Sequence, residues 1–299
     1  RGVRGGAAGP VIPTPAAPSG TRVPSAPLLI CTDLDRTLIP NGAQSESPGA
    51  RQRFAALVSQ PGLQLAYVTG RHLELVQEAM VAYDLPPPDF IITDVGTRIL
   101  RKGEAGWQAL EAWTARLAPD WGASGPADIA TLLADLPGPY PQEAEKQGPF
   151  KLSYYLPPAL TPGPLLSSIQ TRLQARGLRV NLVHSLDEPR QLGLLDILPA
   201  RASKRHAIEF LLAGLGLASE NCLFAGDSGN DLEVLVSPIP AVLVANAAPE
   251  VRARALALSA SAGLGDRLYC ARGGFGGWNG CYAAGILEGI AHYHPELVA

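Results

Sequence analysis

Five short apolar runs, each stopped by a polar turn, constrain this chain more than any other feature of its sequence. Leu28-Leu29-Ile30-Cys31 leads into Thr32-Asp33, Leu65-Ala66-Tyr67-Val68 into Thr69-Gly70-Arg71, and Phe90-Ile91-Ile92 into Thr93-Asp94. Farther on, Leu223-Phe224-Ala225 leads into Gly226-Asp227, and Ala241-Val242-Leu243-Val244 toward Asn246. Runs of this length without polar alternation suit parallel strands buried on both faces, and helical patterns follow them, so the order predicts an α/β fold with a Rossmann-like parallel sheet. In such open sheets the ligand crevice lies beyond the carboxyl ends of the strands. Every conspicuous polar residue falls at such an end.

The pattern changes between about Ile99 and Leu194. Trp107, Leu110, Trp113 and Leu117 keep a roughly helical spacing, and Leu165, Leu166, Ile169 and Leu173 repeat it. Phe150, Leu152, Tyr154 and Leu156 alternate with Lys151, Ser153 and Tyr155, as in a strand with one exposed face, and Leu178, Val180 and Leu182 suggest another. The prediction is an α+β module at 99–194 inserted into a core formed by 28–98 and 195–299. Residues 1–27 stand apart: Gly and Pro supply 11 of the 27 positions and Arg1, Arg4 and Arg22 the only charges, a composition expected of a linker or tail. Pro10, Pro13, Pro15 and Pro18 interrupt any apolar stretch there, against an export signal.

With 46% hydrophobic and 17% charged residues the chain can bury a sizeable core. Its 24 basic against 27 acidic residues give a net charge of −3, without the footprint of a nucleic-acid binder, and no apolar run approaches the roughly 18 residues of a membrane span. Cys31, Cys222, Cys270 and Cys281 form no C-x-x-C pair, which suits buried free thiols in a reducing cytoplasm.

Asp33-Leu34-Asp35 follows the first strand. In an extended segment residues i and i+2 point the same way, so both carboxylates are expected to face one crevice. A D-x-D string alone carries little, since it serves more often as a turn or a helix cap. Its company carries more: Thr37 completes D-x-D-x-T, Thr69-Gly70-Arg71 ends a second strand, Lys204 lies beyond the insert, and Gly226-Asp227-Ser228-Gly229-Asn230-Asp231 ends another strand. Other phosphate chemistries fail on the same residues. Thr37, not Arg, stands six positions after Cys31, and Gly273-Gly274-Phe275-Gly276-Gly277 does not complete a G-x-G-x-x-G string.

This ordered set resembles the haloacid dehalogenase superfamily of phosphohydrolases, over nearly everything from Leu28 onward. An insert between the second and third motifs resembles that superfamily's type IIB cap. Leu195-Asp196-Ile197-Leu198-Pro199 and Ala284-Gly285-Ile286-Leu287-Glu288-Gly289 look like the sucrose-phosphate phosphatases and related sugar phosphatases. The resemblance implies a Mg²⁺-dependent phosphomonoesterase acting on a sugar phosphate, with Asp33 as nucleophile and Asp35 as acid and base, a role that calls for a raised pKa. It implies that Asp33, the main chain of Asp35, and Asp227 hold the metal, with Asp231 completing the acidic set. Lys204 and Thr69 would clamp the phosphoryl oxygens, joined at the substrate by Gly70, Arg71 and Asn230. Arg36 departs from the Gly or Asn common after the second Asp.

The leaving group is expected to be read by the cap, where Gln142, Glu143, Glu145, Gln147, Lys151 and Ser153 are similar to the relatives' Gln/Glu-rich strip and Lys-x-Ser strand. Sucrose 6-phosphate is the expected substrate. Mannosylfructose phosphate and glucosylglycerol phosphate are alternatives, and a non-catalytic domain that binds a sucrose-phosphate synthase is a third. A synthase, fused or associated, is the expected partner.

Overall fold

The computed structural model describes residues 27–187 and 190–298. The predicted tail at 1–27 therefore lies outside the described residues, apart from Pro27.

Eight strands form the large sheet: β1 (Leu28–Thr32), β2 (Leu63–Val68), β3 (Phe90–Thr93), β4 (Arg98–Gly103), β5 (Gly106–Ala109), β10 (Cys222–Gly226), β11 (Ala241–Leu243) and β12 (Leu268–Cys270). Their order is β12-β11-β10-β1-β2-β3-β4-β5. The pairings from β12 through β3 are parallel, and β4 and β5 add an antiparallel edge. Each of the five apolar runs supplies one of the parallel strands. Side chains on alternate sides of β1 enter different cores: Leu29 and Cys31 join Phe224 and Leu243 under one layer of helices, while Ile30 joins Leu65, Val242 and Ile286 under the other. Burial on both faces explains why the sequence there lacks alternation.

After β1 the chain moves toward β2 and β3, and after the insert it returns to build β10, β11 and β12 on the other side of β1. The sheet thus reverses direction between β1 and β10. The crevice at that switch point is where an open α/β sheet receives a ligand, and Asp33 and Asp227 follow its two strands directly.

The smaller sheet consists of β6 (Tyr140–Pro141), β7 (Leu152–Leu156), β8 (Val180–Asp187) and β9 (Leu192–Pro199), in the order β6-β7-β9-β8 and antiparallel throughout. The helices Pro126–Leu133 and Pro162–Gln174 bury Ile129, Leu165, Ile169 and Leu173 against one of its faces.

Three expectations are corrected. Trp107 is not helical: it lies on β5, because Gly103 and Gly106 close a hairpin there, and the helix begins at Glu111. Residues 98–109 therefore belong to the large sheet, while 195–199 complete β9 of the small one, so neither boundary of the insert coincides with the predicted division. Third, β7 has no exposed face. Lys151, Ser153 and Tyr155 are all buried: Lys151 reaches across to Gly70, while the segment 140–147 of the insert itself covers Ser153 and Tyr155.

Gly96 fixes part of that junction. It adopts φ 95°, and a Cβ there would sit 2.3 Å from the Ser203 carbonyl oxygen, so the turn after β3 packs directly on the start of the helix Lys204–Leu215. Among the described residues no helix is long and apolar enough to cross a membrane. The four cysteines are free and buried, with Cys31 and Cys222 side by side on β1 and β10.

Candidate active site

Asp33 starts the loop after β1, and its main-chain N–H still donates to Ala225 on β10, holding the loop to the sheet (2.9 Å). One carboxylate oxygen, Oδ1, accepts from the N–H of Leu34 (2.8 Å) and lies 3.2 Å from Lys204 Nζ. Lys204, the first residue of its helix, is 2% exposed, and its ammonium also donates to Asp231 Oδ1 (2.7 Å) and Asn230 Oδ1 (3.0 Å). Asp33, Asp227 and Asp231 each direct one carboxylate oxygen into a group whose members lie within 4.8 Å of one another. Three carboxylates and one ammonium thus share a nearly dry space.

Burial pushes the Asp33 carboxyl well above its ordinary value; Lys204 opposes, while Asp231, Asp227 and Asp35 add to the rise. Burial, helped by Asp231, likewise pushes Asp227 up to about 7. Burial tends to lower the pKa of Lys204, but Asp231 and Asp33 outweigh it and hold the ammonium charged. The site carries more acidic groups than its own cations can offset.

Asp231 acts as its organiser. While Oδ1 holds Lys204, Oδ2 accepts from the N–H groups of Asp227 and Ser228, both at 3.1 Å. This fold-back requires the glycine that ends β10: a Cβ on Gly226 would lie 2.6 Å from Asp231 Cγ. Both oxygens of Asp231 are thus engaged by the protein itself. Thr37 donates to Asp227 Oδ1 at 3.3 Å, and the Arg36 guanidinium stands 3.4 Å from Oδ2. Arg36 adopts φ 59°, the left-handed conformation that Gly or Asn reaches more easily, and Asn246 steadies it by donating to its carbonyl (2.6 Å). Arg36 thus sits in a left-handed turn held by Asn246, with its guanidinium beside Asp227.

Asp35 departs from expectation. Its carboxylate turns to Arg71, accepting from Nε at 2.7 Å and from a terminal nitrogen at 2.6 Å, and accepts from Asn41 at 2.7 Å. Burial favours a higher pKa, but Arg71, then Asn41 and Lys204, outweigh it, so the net direction is down rather than up. A forked arginine pair stabilises the carboxylate form, which sequence spacing alone does not reveal. Thr69 is buried at the end of β2, its hydroxyl accepting from the N–H of Arg71 (3.2 Å).

From the insert, Lys151 crosses to the large sheet, with Nζ 3.4 Å from the Gly70 carbonyl oxygen and 3.7 Å from Asp94 Oδ1. Gln142 does not project into the crevice: its amide donates to the main chain of Tyr154 on β7 (2.9 Å). Between the sheets lies a cavity of about 760 Å³, lined on the core side by His72, Asp94 and Arg98 and on the insert side by Glu143, Gln147 and Arg190. The sequence reading placed Asp94 and Asn246 at strand ends without giving them a role, and passed over Arg98 and Arg190. Asp94 follows β3 directly and Asn246 comes three residues after β11, so their position was the available signal.

Fold and family together place the chain among the phosphatases of the haloacid dehalogenase superfamily, with a cap inserted into the core. The chain belongs to the sucrose-6F-phosphate phosphohydrolase family, whose model matches residues 26–294. It is 50% identical over 272 residues to a protein of Nitrosococcus oceani named only as a HAD-like hydrolase, covering 91% of this chain and 73% of that one. It is 30% identical to mannosylfructose-phosphate phosphatase of Agrobacterium fabrum, covering 75% of this chain and 85% of that protein. Identity to sucrose-phosphatase 1 of Nicotiana tabacum is also 30%, over 76% of this chain; here the chain spans about half (52%) of its relative's length. The solved sucrose-phosphatase from Synechocystis, in complex with sucrose and phosphate, is similar with a TM-score of 0.72 and 26% identity, covering 90% of this chain and 98% of that structure.

Proposed function

We propose that this chain hydrolyses a sugar phosphate, with sucrose 6-phosphate as its first substrate, through a phosphoryl group carried on Asp33. The observation that carries the reading is the buried group of Asp33, Asp227, Asp231 and Lys204 at the sheet's switch point. The separate cavity between core and insert, with Asp94, Arg98, Glu143 and Gln147 on its wall, is large enough for a disaccharide. The donor set suits Mg²⁺: hard carboxylate oxygens of Asp33, Asp227 and Asp231 within 4.8 Å of one another and a surplus of acidic groups. Asp33 and Asp227 would hold the ion, with Asp231 fixing their surroundings. Bound there, Mg²⁺ would offset the charge of the phosphate and lower the pKa of Asp33.

Asp33 attacks phosphorus with a carboxylate oxygen as the bond from phosphorus to the sugar oxygen breaks, and Asp35 gives that oxygen a proton. Water then attacks the phosphorus of the acyl phosphate, its proton passing to Asp35, and phosphate leaves with Asp33 restored. Lys204 and the Thr69 hydroxyl stabilise the phosphoryl oxygens. Because Arg71 holds Asp35 ionised, Asp35 takes up its proton only after that pair opens, and a substrate phosphate offers Arg71 an alternative anion.

Mannosylfructose phosphate is the second reading, favoured by the fuller coverage of the Agrobacterium relative. A panel of phosphorylated sugars, assayed for phosphate release with and without Mg²⁺, tests both. Release from a disaccharide phosphate well above that from simple hexose phosphates, and only with Mg²⁺, is expected. No release from any ester would leave a non-catalytic binding domain as the better account.

A further inference from the structure

Asp94 is a buried carboxylate at the core–cap seam whose chemistry the reaction above does not use. It begins a turn in which Asp94, Val95 and Gly96 have φ of 52°, 59° and 95°, wedged between β3 and the helix that starts at Lys204. The wedge fixes where the carboxylate points. Its side chain is only 5% exposed, it lines the cavity between the sheets, and Oδ1 is buried without a hydrogen-bond partner. Burial pushes its pKa up against the pull of Lys151 and Thr93.

Lys151 is under-satisfied in the same space. Its ammonium has three hydrogens, yet makes one long bond, to Gly70 at 3.4 Å, with Asp94 Oδ1 at 3.7 Å and Asp196 Oδ1 at 4.0 Å. The two carboxylate separations are too long for direct hydrogen bonds and leave the Lys151 ammonium and the buried Asp94 Oδ1 short of partners at one place on the seam. A hydroxyl group completes both, accepting from Lys151 and donating to Asp94. An ionised phosphate does not, because it has no proton to donate to the Asp94 carboxylate.

We propose that Asp94 reads a hydroxyl of the leaving sugar, so that substrate choice is shared between the core and the cap. This rests on the sugar-phosphatase reading. Asp94 is then a specificity residue supplied by the turn after β3, opposite the cap's Lys151.

The test compares esters in the full chain with Mg²⁺. Asp94→Asn, which keeps the shape but loses the charged acceptor, is expected to lower kcat/KM for sucrose 6-phosphate by about tenfold or more, chiefly through KM. For p-nitrophenyl phosphate, which has no sugar, the loss stays below about threefold. Asp94→Ser provides a second variant should the first fold poorly. A series of monodeoxy sucrose 6-phosphates separates contact from support. The wild type should discriminate against one of them by about tenfold, and the Asp94 variants should lose that discrimination. Equal losses on both esters, or discrimination that survives in the variants at every position, would overturn the assignment. If the wild type itself hydrolyses p-nitrophenyl phosphate but no sugar phosphate, the sugar reading falls and takes this proposal with it, a result visible without any variant.

Discussion

Replacing Lys204 by Met probes the electrostatic core of the site. The unbranched Met side chain fills much of the space of the lysine stem, so the change removes charge rather than packing. Lys204 Nζ lies 2.7 Å from Asp231 and 3.2 Å from Asp33, and its side chain is 1% exposed. Removing one partner of a buried ion pair leaves uncompensated charge and costs about 3–5 kcal/mol. At roughly 2–4 °C per kcal/mol for a chain of this size, the melting temperature should fall by about 6–20 °C in metal-free buffer at pH 8. The sign of the pH dependence follows from the carboxylates left behind. A carboxyl whose folded pKa lies above its unfolded value costs stability when both states are ionised, and the cost disappears as pH falls through the folded value toward the unfolded one. Asp33 and Asp227 are already raised with Lys204 present, so its loss should enlarge the penalty at pH 8 and shrink it toward pH 5. Mg²⁺ should narrow the gap by supplying positive charge at the same place. Thermal melts across this range, with and without Mg²⁺, read all three effects. A fall of less than about 2 °C at pH 8, or a deficit that grows on acidification, would refute the reasoning.

Other outcomes follow from the same geometry. Mg²⁺ affinity should rise with pH through about 7, with proton release on binding below that point, because Asp227 must give up a proton to bind; titration calorimetry in buffers of different ionisation enthalpy measures this, and a flat profile would contradict it. Gly226→Ala should displace Asp231 and with it Lys204, lowering kcat at least about tenfold while the molecule stays folded by circular dichroism; wild-type turnover would show that the fold-back is dispensable. Lys151→Ala should reduce kcat/KM for sucrose 6-phosphate by about ten- to a hundredfold and much less for p-nitrophenyl phosphate, and parallel losses would remove β7 from sugar selection.

What could be read from the sequence divides along physical lines. The strands of the large sheet were legible because burial on both faces leaves uninterrupted apolar runs, and their polar ends marked where Asp33, Thr69 and Asp227 would stand. The assembly of Asp33, Asp227, Asp231 and Lys204 followed once those strands paired around the switch point. Contacts across the chain were not legible. The Arg71–Asp35 fork depends on side-chain direction at the ends of two strands, and it reverses the expected shift of Asp35. Trp107 fits a helical spacing by coincidence, since a glycine hairpin decides its conformation. The alternation around Lys151 suggested a face open to solvent, but a polar side chain facing another polar wall gives the same pattern. The turn at Asp94 is hidden for a similar reason: its left-handed backbone is imposed by Gly96 meeting Ser203 more than a hundred positions away.

The most direct test of the central claim is to catch the phosphoryl group on Asp33. Acid quench during steady turnover, borohydride reduction and peptide mass spectrometry would convert an acyl phosphate at this residue into homoserine, with the best sugar phosphate and p-nitrophenyl phosphate each used as donor. The account predicts homoserine at position 33 in the presence of Mg²⁺ and neither homoserine nor turnover in Asp33→Asn, which should remain folded. Wild-type rates in Asp33→Asn, or the phosphoryl group trapped on a different residue, would contradict it.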